Sequence, residues 1–163
     1  MTNLPYSIIS CFIVVSFFLV APVSAQDSES IQWLSFEELE DSLAAKPKKV
    51  FIDFYTDWCT YCRKMDKSVF TKPEVIDLLN EEYYAVRFNA ETNVSINFGG
   101  QVLINDQVGK SRKPIHQIAQ LLALRNGIFV APTLIILDED FRVISRYFEY
   151  MDSRRLLKAL KNS

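Results

Sequence analysis

Two cysteines, Cys59 and Cys62, are the residues with the clearest capacity for chemistry in this 163-residue chain. They follow an apolar, aromatic and β-branched run, residues 50–55, which is typical of a buried strand. After them, Met65 and Val69 are spaced as on one face of a helix. The sequence therefore predicts that the two cysteines lie where the C-terminal end of a buried strand turns into a helix.

That placement favours redox chemistry. Unpaired backbone N–H groups and the dipole at a helix N-terminus stabilise an anion, which lowers the pKa of a thiol there and raises its thiolate fraction. A second thiol one turn later can attack a mixed disulfide formed at the first. The spacing of Cys59 and Cys62 therefore predicts a redox pair.

Other uses of the pair stay open at this point. A structural zinc site needs about four ligands, whereas the chain beyond residue 25 offers only Cys59, Cys62 and His116 as cysteine or histidine ligands. A disulfide that only staples the fold is one alternative, and a copper-handling protein with these three ligands is another. We expect His116 to be exposed in the first turn of a helix, and we assign it no catalytic role.

The stretch FIDFYTDWCTYC, residues 51–62, resembles the active-site strand and turn of thioredoxin-like proteins. The shared features are an acid six positions before the first cysteine and the order Trp-Cys-x-x-Cys. Met65 extends the motif to a form found in many exported bacterial members, and Ala131-Pro132-Thr133 resembles the family's cis-proline loop. The resemblance implies an α/β thioredoxin-like fold over residues 31–163, with a central mixed β-sheet flanked by helices.

The resemblance also implies roles for individual residues. Cys59 is expected to be the nucleophile and Cys62 the cysteine that resolves the mixed disulfide. Asp53 is expected to be a buried carboxylate with a raised pKa that exchanges a proton with Cys62; the alternative is an acid paired with a neighbouring lysine. Pro132 is expected to keep a backbone edge free for an extended substrate, and the substrate-binding residues are expected to be Trp58, Thr60, Tyr61, Ala131 and Thr133.

These features predict a thiol-disulfide oxidoreductase that reduces or isomerises disulfides of exported proteins. Its redox centre is the Cys59–Cys62 disulfide, and neither a bound cofactor nor a metal is expected. Thr60 and Tyr61 differ from the Gly-Pro pair of reducing thioredoxins, so the potential stays open between about −270 and −120 mV. A membrane reductase is the expected electron donor. The alternative is a non-catalytic thioredoxin-fold module that binds partners or acts like a chaperone.

The first 25 residues contain no Asp, Glu, Lys or Arg, and residues 8–21 are almost continuously apolar. This pattern, with small residues before position 26, predicts a secretory signal peptide over residues 1–25 and a polar linker over 26–30. An uncleaved anchor over residues 4–23 is the alternative. Both imply a periplasmic or otherwise exported protein. The net charge of −2, with scattered basic residues, argues against nucleic acid or an anionic membrane surface as a partner.

The rest of the chain can be divided by pattern. Residues 83–89 are predicted to form a strand parallel to the first, reached through a helical crossover. Gly99-Gly100 predicts a β-hairpin within an insertion at about 92–113, for which we consider two roles: a flap or docking edge beside the cysteines, or a surface decoration. The later predicted elements are a helix over 114–126 with Gly127 as its C-cap, antiparallel strands over 128–137 and 141–147, and a final helix over 152–161.

Overall fold

The computed structural model describes Met1 and residues 29–163. The expected signal peptide over residues 1–25, the alternative anchor over 4–23 and most of the expected linker therefore lie outside the described residues. Within the described part, no helix is long and apolar enough to cross a membrane.

The described residues form nine strands and five helices. The strands are β1 (Trp33–Leu34), β2 (Lys49–Tyr55), β3 (Tyr83–Asn89), β4 (Ile96–Phe98), β5 (Gln101–Leu103), β6 (Leu124–Arg125), β7 (Ile128–Phe129), β8 (Thr133–Leu137) and β9 (Val143–Tyr147). The helices are α1 (Phe36–Ala45), α2 (Thr60–Ser68), α3 (Pro73–Glu82), α4 (Gln117–Leu122) and α5 (Ser153–Lys161). The predicted strand-to-helix turn at the cysteines is confirmed.

A five-stranded mixed sheet with the order β1-β3-β2-β8-β9 forms the centre of the fold. Strands β1, β2 and β3 are parallel, whereas β8 is antiparallel to β2 and β9 is antiparallel to β8. The parallel crossover and the closing hairpin are therefore confirmed. The strand predicted over 128–137 is too long, because only Thr133–Leu137 joins this sheet and Ile128–Phe129 forms β7. Phe54 near the end of β2 pairs with Thr133 at the start of β8. The cysteine turn and the proline loop consequently leave the sheet at the same end.

Helices cover both faces of the sheet. Helices α2, α3 and α5 contribute to one buried cluster, which includes Phe51 of β2, and helices α1 and α4 contribute to a second cluster, which includes Ile52 and Phe54. Side chains alternate between the faces of a strand. Asp53 therefore points to the face that carries α2, the helix of the cysteines.

The predicted hairpin of the insertion is confirmed. Strands β4 and β5 pair antiparallel around Gly99 and Gly100, whose φ angles of 62° and 70° lie in the left-handed region that glycine adopts without steric cost. Positive φ at both central residues is the requirement of a tight two-residue hairpin turn.

The hairpin packs against α1, away from the cysteines. The Asn97 backbone N–H donates to Glu37 on α1 at 3.2 Å, and the Phe98 ring packs edge-on against Phe36 with centroids 5.3 Å apart. Phe98 also contacts Phe141, which lies in the turn between β8 and β9, at the far end of β8 from the proline loop. The hairpin itself therefore forms no flap over the cysteines. The segment after it, residues 105–113, is the part that returns to them.

The insertion begins and ends at one point of the sheet, which we call the neck. The Ala90 backbone N–H donates to the carbonyl of Tyr55, the last residue of β2, at 2.9 Å. The His116 N–H in turn donates to the carbonyl of Ala90 at 2.8 Å. The chain that leaves β3 therefore returns to within one hydrogen bond of its starting point before α4 begins.

The helix predicted over residues 114–126 is wrong in its length. Helix α4 covers only Gln117–Leu122, and Gly127 is not its C-cap. Strands β6 and β7 instead pair around Asn126 and Gly127, with φ angles of 51° and 79°. Asn-Gly favours a two-residue hairpin turn because both residues tolerate positive φ, and here that local preference ends the helix early.

Candidate active site

Cys59 and Cys62 are joined by a disulfide, with Cα atoms 5.3 Å apart. Cys59 is the N-cap of α2, and its Sγ accepts a hydrogen bond from the Cys62 backbone N–H at 3.0 Å. Both residues are buried, with 3% and 2% of their surface exposed. In the reduced protein the same N–H group and the helix dipole stabilise negative charge on the Cys59 sulfur.

The proline loop lies at the end of the sheet that carries the disulfide. The Ala131–Pro132 peptide bond is cis, as the sequence resemblance implies. Thr133 is fully buried, and its Oγ1 donates to the Val130 carbonyl at 2.7 Å. The Thr133 side chain therefore holds the loop from inside, whereas Ala131 remains partly exposed.

Exposed side chains surround the buried disulfide. Trp58 is 56% exposed and Tyr61 is 59% exposed, and Thr60 between the cysteines is also exposed. The Tyr61 ring lies 6.0 Å from the ring of Tyr150, which precedes α5. Exposed aromatic side chains gathered at one place are typical of surfaces that contact other proteins. Trp58, Thr60 and Tyr61 are therefore placed where a substrate chain can reach them.

Asp53 is the buried carboxyl behind this surface, with 1% of the residue exposed. Burial raises the pKa of Asp53 from 3.8 to about 7, against the opposing attraction of Arg87. The nearby charge of Asp66 contributes to this rise in pKa. The partner of Asp53 is Arg87, whose Nε lies 3.3 Å from Asp53 Oδ2, and not a lysine as in the alternative considered above.

Arg87 connects Asp53 to the cysteine helix, and the sequence interpretation missed it. It stands opposite Asp53 in the β2–β3 register, with its guanidinium 4.5 Å from the centroid of the Tyr55 ring. Its NH2 group also donates to Asp66 on α2 at 2.7 Å. Aligning residues 49–55 with residues 83–89 as parallel strands would have placed Arg87 beside Asp53 before the structure was known.

This arrangement predicts opposite effects for the two neighbours of Asp53. In an Arg87→Met protein the favourable charge is lost, so the pKa of Asp53 should rise above 7. In an Asp66→Asn protein the repelling charge is lost, so that pKa should fall below 7. The measurement is an NMR titration of the Asp53 side-chain carboxyl carbon in the oxidised protein.

Arg87→Lys is the matched control for the first substitution, since it keeps the positive charge and should move the midpoint less than Arg87→Met does. Midpoints that shift in the same direction in Arg87→Met and Asp66→Asn would contradict this account of the site.

His116 does not join the sulfurs as a metal ligand. It is fully buried in the layer of α1 and α4, so the expectation of an exposed histidine is wrong. Its Nδ1 accepts from the Ile118 N–H at 3.2 Å and caps α4, while Nε2 bonds the Val94 carbonyl at 3.1 Å. Burial lowers the pKa of His116. Within residues 29–163, no three His, Cys, Asp or Glu side chains are grouped as a metal site.

The model of the thioredoxin-like domain family matches residues 36–163. The chain belongs to this family. Its disulfide lies at the N-terminus of α2, where the sequence motif predicted the redox pair. The predicted α/β fold with a mixed sheet between helices is confirmed.

Curated relatives of the domain are named thiol:disulfide interchange protein DsbD. The chain is 42% identical over 41 residues to the protein from Pseudomonas fluorescens, covering 25% of this chain and 7% of that protein. It is 26% identical over 131 residues to the protein from Photorhabdus laumondii, covering 78% of this chain and 19% of that protein. The chain therefore spans about a fifth or less of the length of these relatives.

A solved structure described as DsbH oxidoreductase shares the fold. It superposes with a TM-score of 0.58 at 17% identity, and the match covers 88% of this chain and 90% of that chain. The thioredoxin-like domain thus shares the fold of that protein, is similar in sequence to proteins named for thiol:disulfide interchange, and carries the Cys59–Cys62 pair that such exchange requires.

Proposed function

We propose that this thioredoxin-like domain is a thiol-disulfide oxidoreductase that reduces or isomerises disulfides of exported proteins. The observation that carries the proposal is the Cys59–Cys62 disulfide at the N-cap of α2, with Sγ of Cys59 held by the Cys62 N–H. The proline loop at the same end of the sheet and the exposed Trp58 and Tyr61 support it.

In the reducing direction, the Cys59 thiolate attacks one sulfur of a substrate disulfide. One substrate sulfur leaves as a thiolate and takes up a proton, and the other remains bound to Cys59 as a mixed disulfide. The Cys62 thiolate then attacks Cys59 Sγ, which releases the second substrate thiol and forms the Cys59–Cys62 disulfide. Two electrons have passed to the substrate, and a dithiol partner must return two electrons to reset the protein.

Asp53 supplies the proton transfer that the second step needs. Cys62 must lose a proton before it attacks, and a carboxyl with a pKa of about 7 can accept a proton near neutral pH. Asp53 lies on the face of β2 that carries α2, the helix that begins with the cysteines. Its pairing with Arg87, which also holds Asp66 of α2, keeps the carboxyl in place behind that helix.

The wider setting follows from the same proposal. Residues 1–25 act as a secretory signal, or residues 4–23 as an anchor, so that residues 31–163 work in the periplasm or another exported location. The substrates are cysteine-containing exported proteins, and a membrane reductase supplies the electrons. The protein disulfide is the redox centre, so no further cofactor is required. The similarity to proteins named DsbD supports this setting.

A thiol-trapping redox titration tests the function. The protein is equilibrated across glutathione and dithiothreitol buffers and alkylated, and its free thiols are counted by mass. We expect one reversible two-thiol couple, with a midpoint between about −270 mV for a reductant and about −120 mV for a strong oxidant. A pair that stays oxidised in strong reductant while the protein is folded would favour the binding-module alternative, with Cys59–Cys62 as a structural staple.

A further inference from the structure

A pocket of about 260 Å³ opens beside the redox turn, and Trp58 forms part of its wall. The other walls come from the insertion, through Gln107 and Lys113, and from the β6–β7 hairpin, through Gly127 and Ile128. These segments are far apart in sequence and include the insertion, for which the sequence analysis considered a docking edge beside the cysteines. We call this space the Trp58 pocket.

The wall next to the cysteines is held in place. Trp58 Nε1 donates to both carboxylate oxygens of Glu91, at 3.0 and 3.1 Å. The Lys113 ammonium lies 5.2 Å from the centroid of the Trp58 ring, which is within cation–π distance. Both charged side chains of the pocket are thus already engaged with the indole ring.

The opposite wall is also fixed by hydrogen bonds. Gln107 Oε1 accepts from the Ile115 backbone N–H at 3.1 Å, and Gln120 Nε2 donates to the Ile115 carbonyl at 2.7 Å. These bonds join the insertion to α4 at this wall of the pocket. The Trp58 pocket is therefore present before any partner arrives, so little ordering free energy is needed to fill it.

Apolar residues and Gly127 make up the rest of the lining of the Trp58 pocket, beside Glu91, Gln107, Lys113 and Gln120. Ile115, Leu124 and Phe129 contribute apolar side chains, and Ile128 at the rim is 67% exposed. The volume is below the range of about 300–1,000 Å³ typical of small-molecule sites, and it suits a single large side chain. Glu91 and Lys113 are engaged with Trp58, and Gln107 and Gln120 are engaged with the Ile115 backbone. Because these polar side chains already have partners within the protein, the apolar part of the lining is left for an occupant.

We propose that the Trp58 pocket receives one bulky apolar side chain, of leucine to phenylalanine size, from the polypeptide whose disulfide reacts at Cys59. The proposal rests on the proposed function, because it names the substrate class for the same site. Trp58 is bonded directly to Cys59, and Phe129 stands three residues before Pro132. At about 3.3 Å per residue, a chain bound at Cys59 reaches the pocket within a few residues of its own cysteine.

The test uses peptides that carry one cysteine as a mixed disulfide with glutathione. Leucine or glycine is placed at each of the two positions before and after that cysteine, and kcat/KM for reduction is measured. At one position or more we expect leucine to be favoured about ten-fold over glycine, as burial of such a side chain implies. Ile128→Ser should bring this ratio to about one. The matched control is Leu121→Ser, because Leu121 is 68% exposed but lies outside the pocket lining; this variant should keep the ratio.

Two further measurements separate the pocket from the redox function. A small aromatic disulfide without a polypeptide chain reports on the function alone. If this compound is reduced while leucine and glycine peptides react equally at every position, the pocket proposal is overturned and the function stands. If no disulfide is reduced, the function fails, and the tryptophan fluorescence of a Trp33→Phe protein, in which only Trp58 remains, decides the pocket with cysteine-to-serine peptides. A saturable change with the leucine peptides alone supports it, and no such change overturns it.

Discussion

A Cys62→Ser protein is expected to accumulate covalent mixed disulfides with its substrates, and a Cys59→Ser protein is expected to form none. Sγ of Cys59 occupies the N-cap of α2, where the Cys62 N–H stabilises its thiolate. Cys62 lies within the first turn and is the group that we propose releases the substrate. Turnover should fall by at least about 10³-fold in either variant, since the two thiols act as a unit.

The measurement is acid quenching and alkylation of a reaction with a disulfide-bonded protein substrate, followed by mass spectrometry without reductant. The doubly substituted protein gives the background. Equal trapping by Cys59→Ser and Cys62→Ser would show that the two roles are wrongly assigned, even though the pair is redox-active.

An Asp53→Asn protein is expected to be more stable than the parent above neutral pH and slower in catalysis. Below about pH 4 the Asp53 carboxyl is protonated in both the folded and the unfolded chain, so it carries no penalty. As the pH rises from about 4 to about 7, only the unfolded chain loses the proton, and the free energy of unfolding falls. A pKa raised from 3.8 to about 7 corresponds to a loss of up to about 4 kcal/mol above pH 7.

The asparagine variant lacks this ionisation, so its free energy of unfolding should exceed that of the parent at pH 8 and approach it at pH 4. Arg87 keeps its ion pair with Asp66 in the variant and is not left unpaired. Urea unfolding of the oxidised proteins at both pH values measures the effect. Reduction of substrate should slow by a factor on the order of 100, because the carboxyl that we propose as the proton acceptor is gone.

Asp41→Asn is the matched control for this experiment. Asp41 is an exposed acid on α1, in the layer opposite to that of Asp53. Its substitution should leave the difference in stability between pH 4 and pH 8 unchanged. A pH dependence in Asp53→Asn as steep as in the parent would mean that another group titrates in this range.

Local sequence was sufficient for the catalytic turn. The buried strand, the helix start and the two cysteines are adjacent in the chain, so their mutual placement depends on short-range rules. The cis-proline loop was predicted from the family resemblance, since nothing in residues 131–133 alone requires that isomer. Asp53 was expected to be buried because it is a lone acid in an apolar strand, and it is 1% exposed.

The sequence predictions were wrong where the structure depends on contacts between distant segments, or where one dipeptide is compatible with two local structures. Asn126-Gly127 was interpreted as the end of a helix, although it equally favours the hairpin turn that the structure contains. The burial of His116 was missed because it depends on Phe88 and Val94, which lie more than 20 positions away in sequence. The Trp58 pocket could not be predicted for the same reason, since its walls come from separate segments.

The neck has a consequence for how such a domain can diversify. Hydrogen bonds that join Tyr55, Ala90 and His116 close the insertion at its base. Ile96 and Ile115 of the insertion are buried in the core, whereas residues 108–113 are exposed. Doubling a flexible loop costs only about 0.6 kcal/mol in closure entropy. Residues 108–113 therefore form the segment of the insertion whose length can change most readily. Replacing it between related domains offers a route to new substrate preferences on an unaltered Cys59–Cys62 centre.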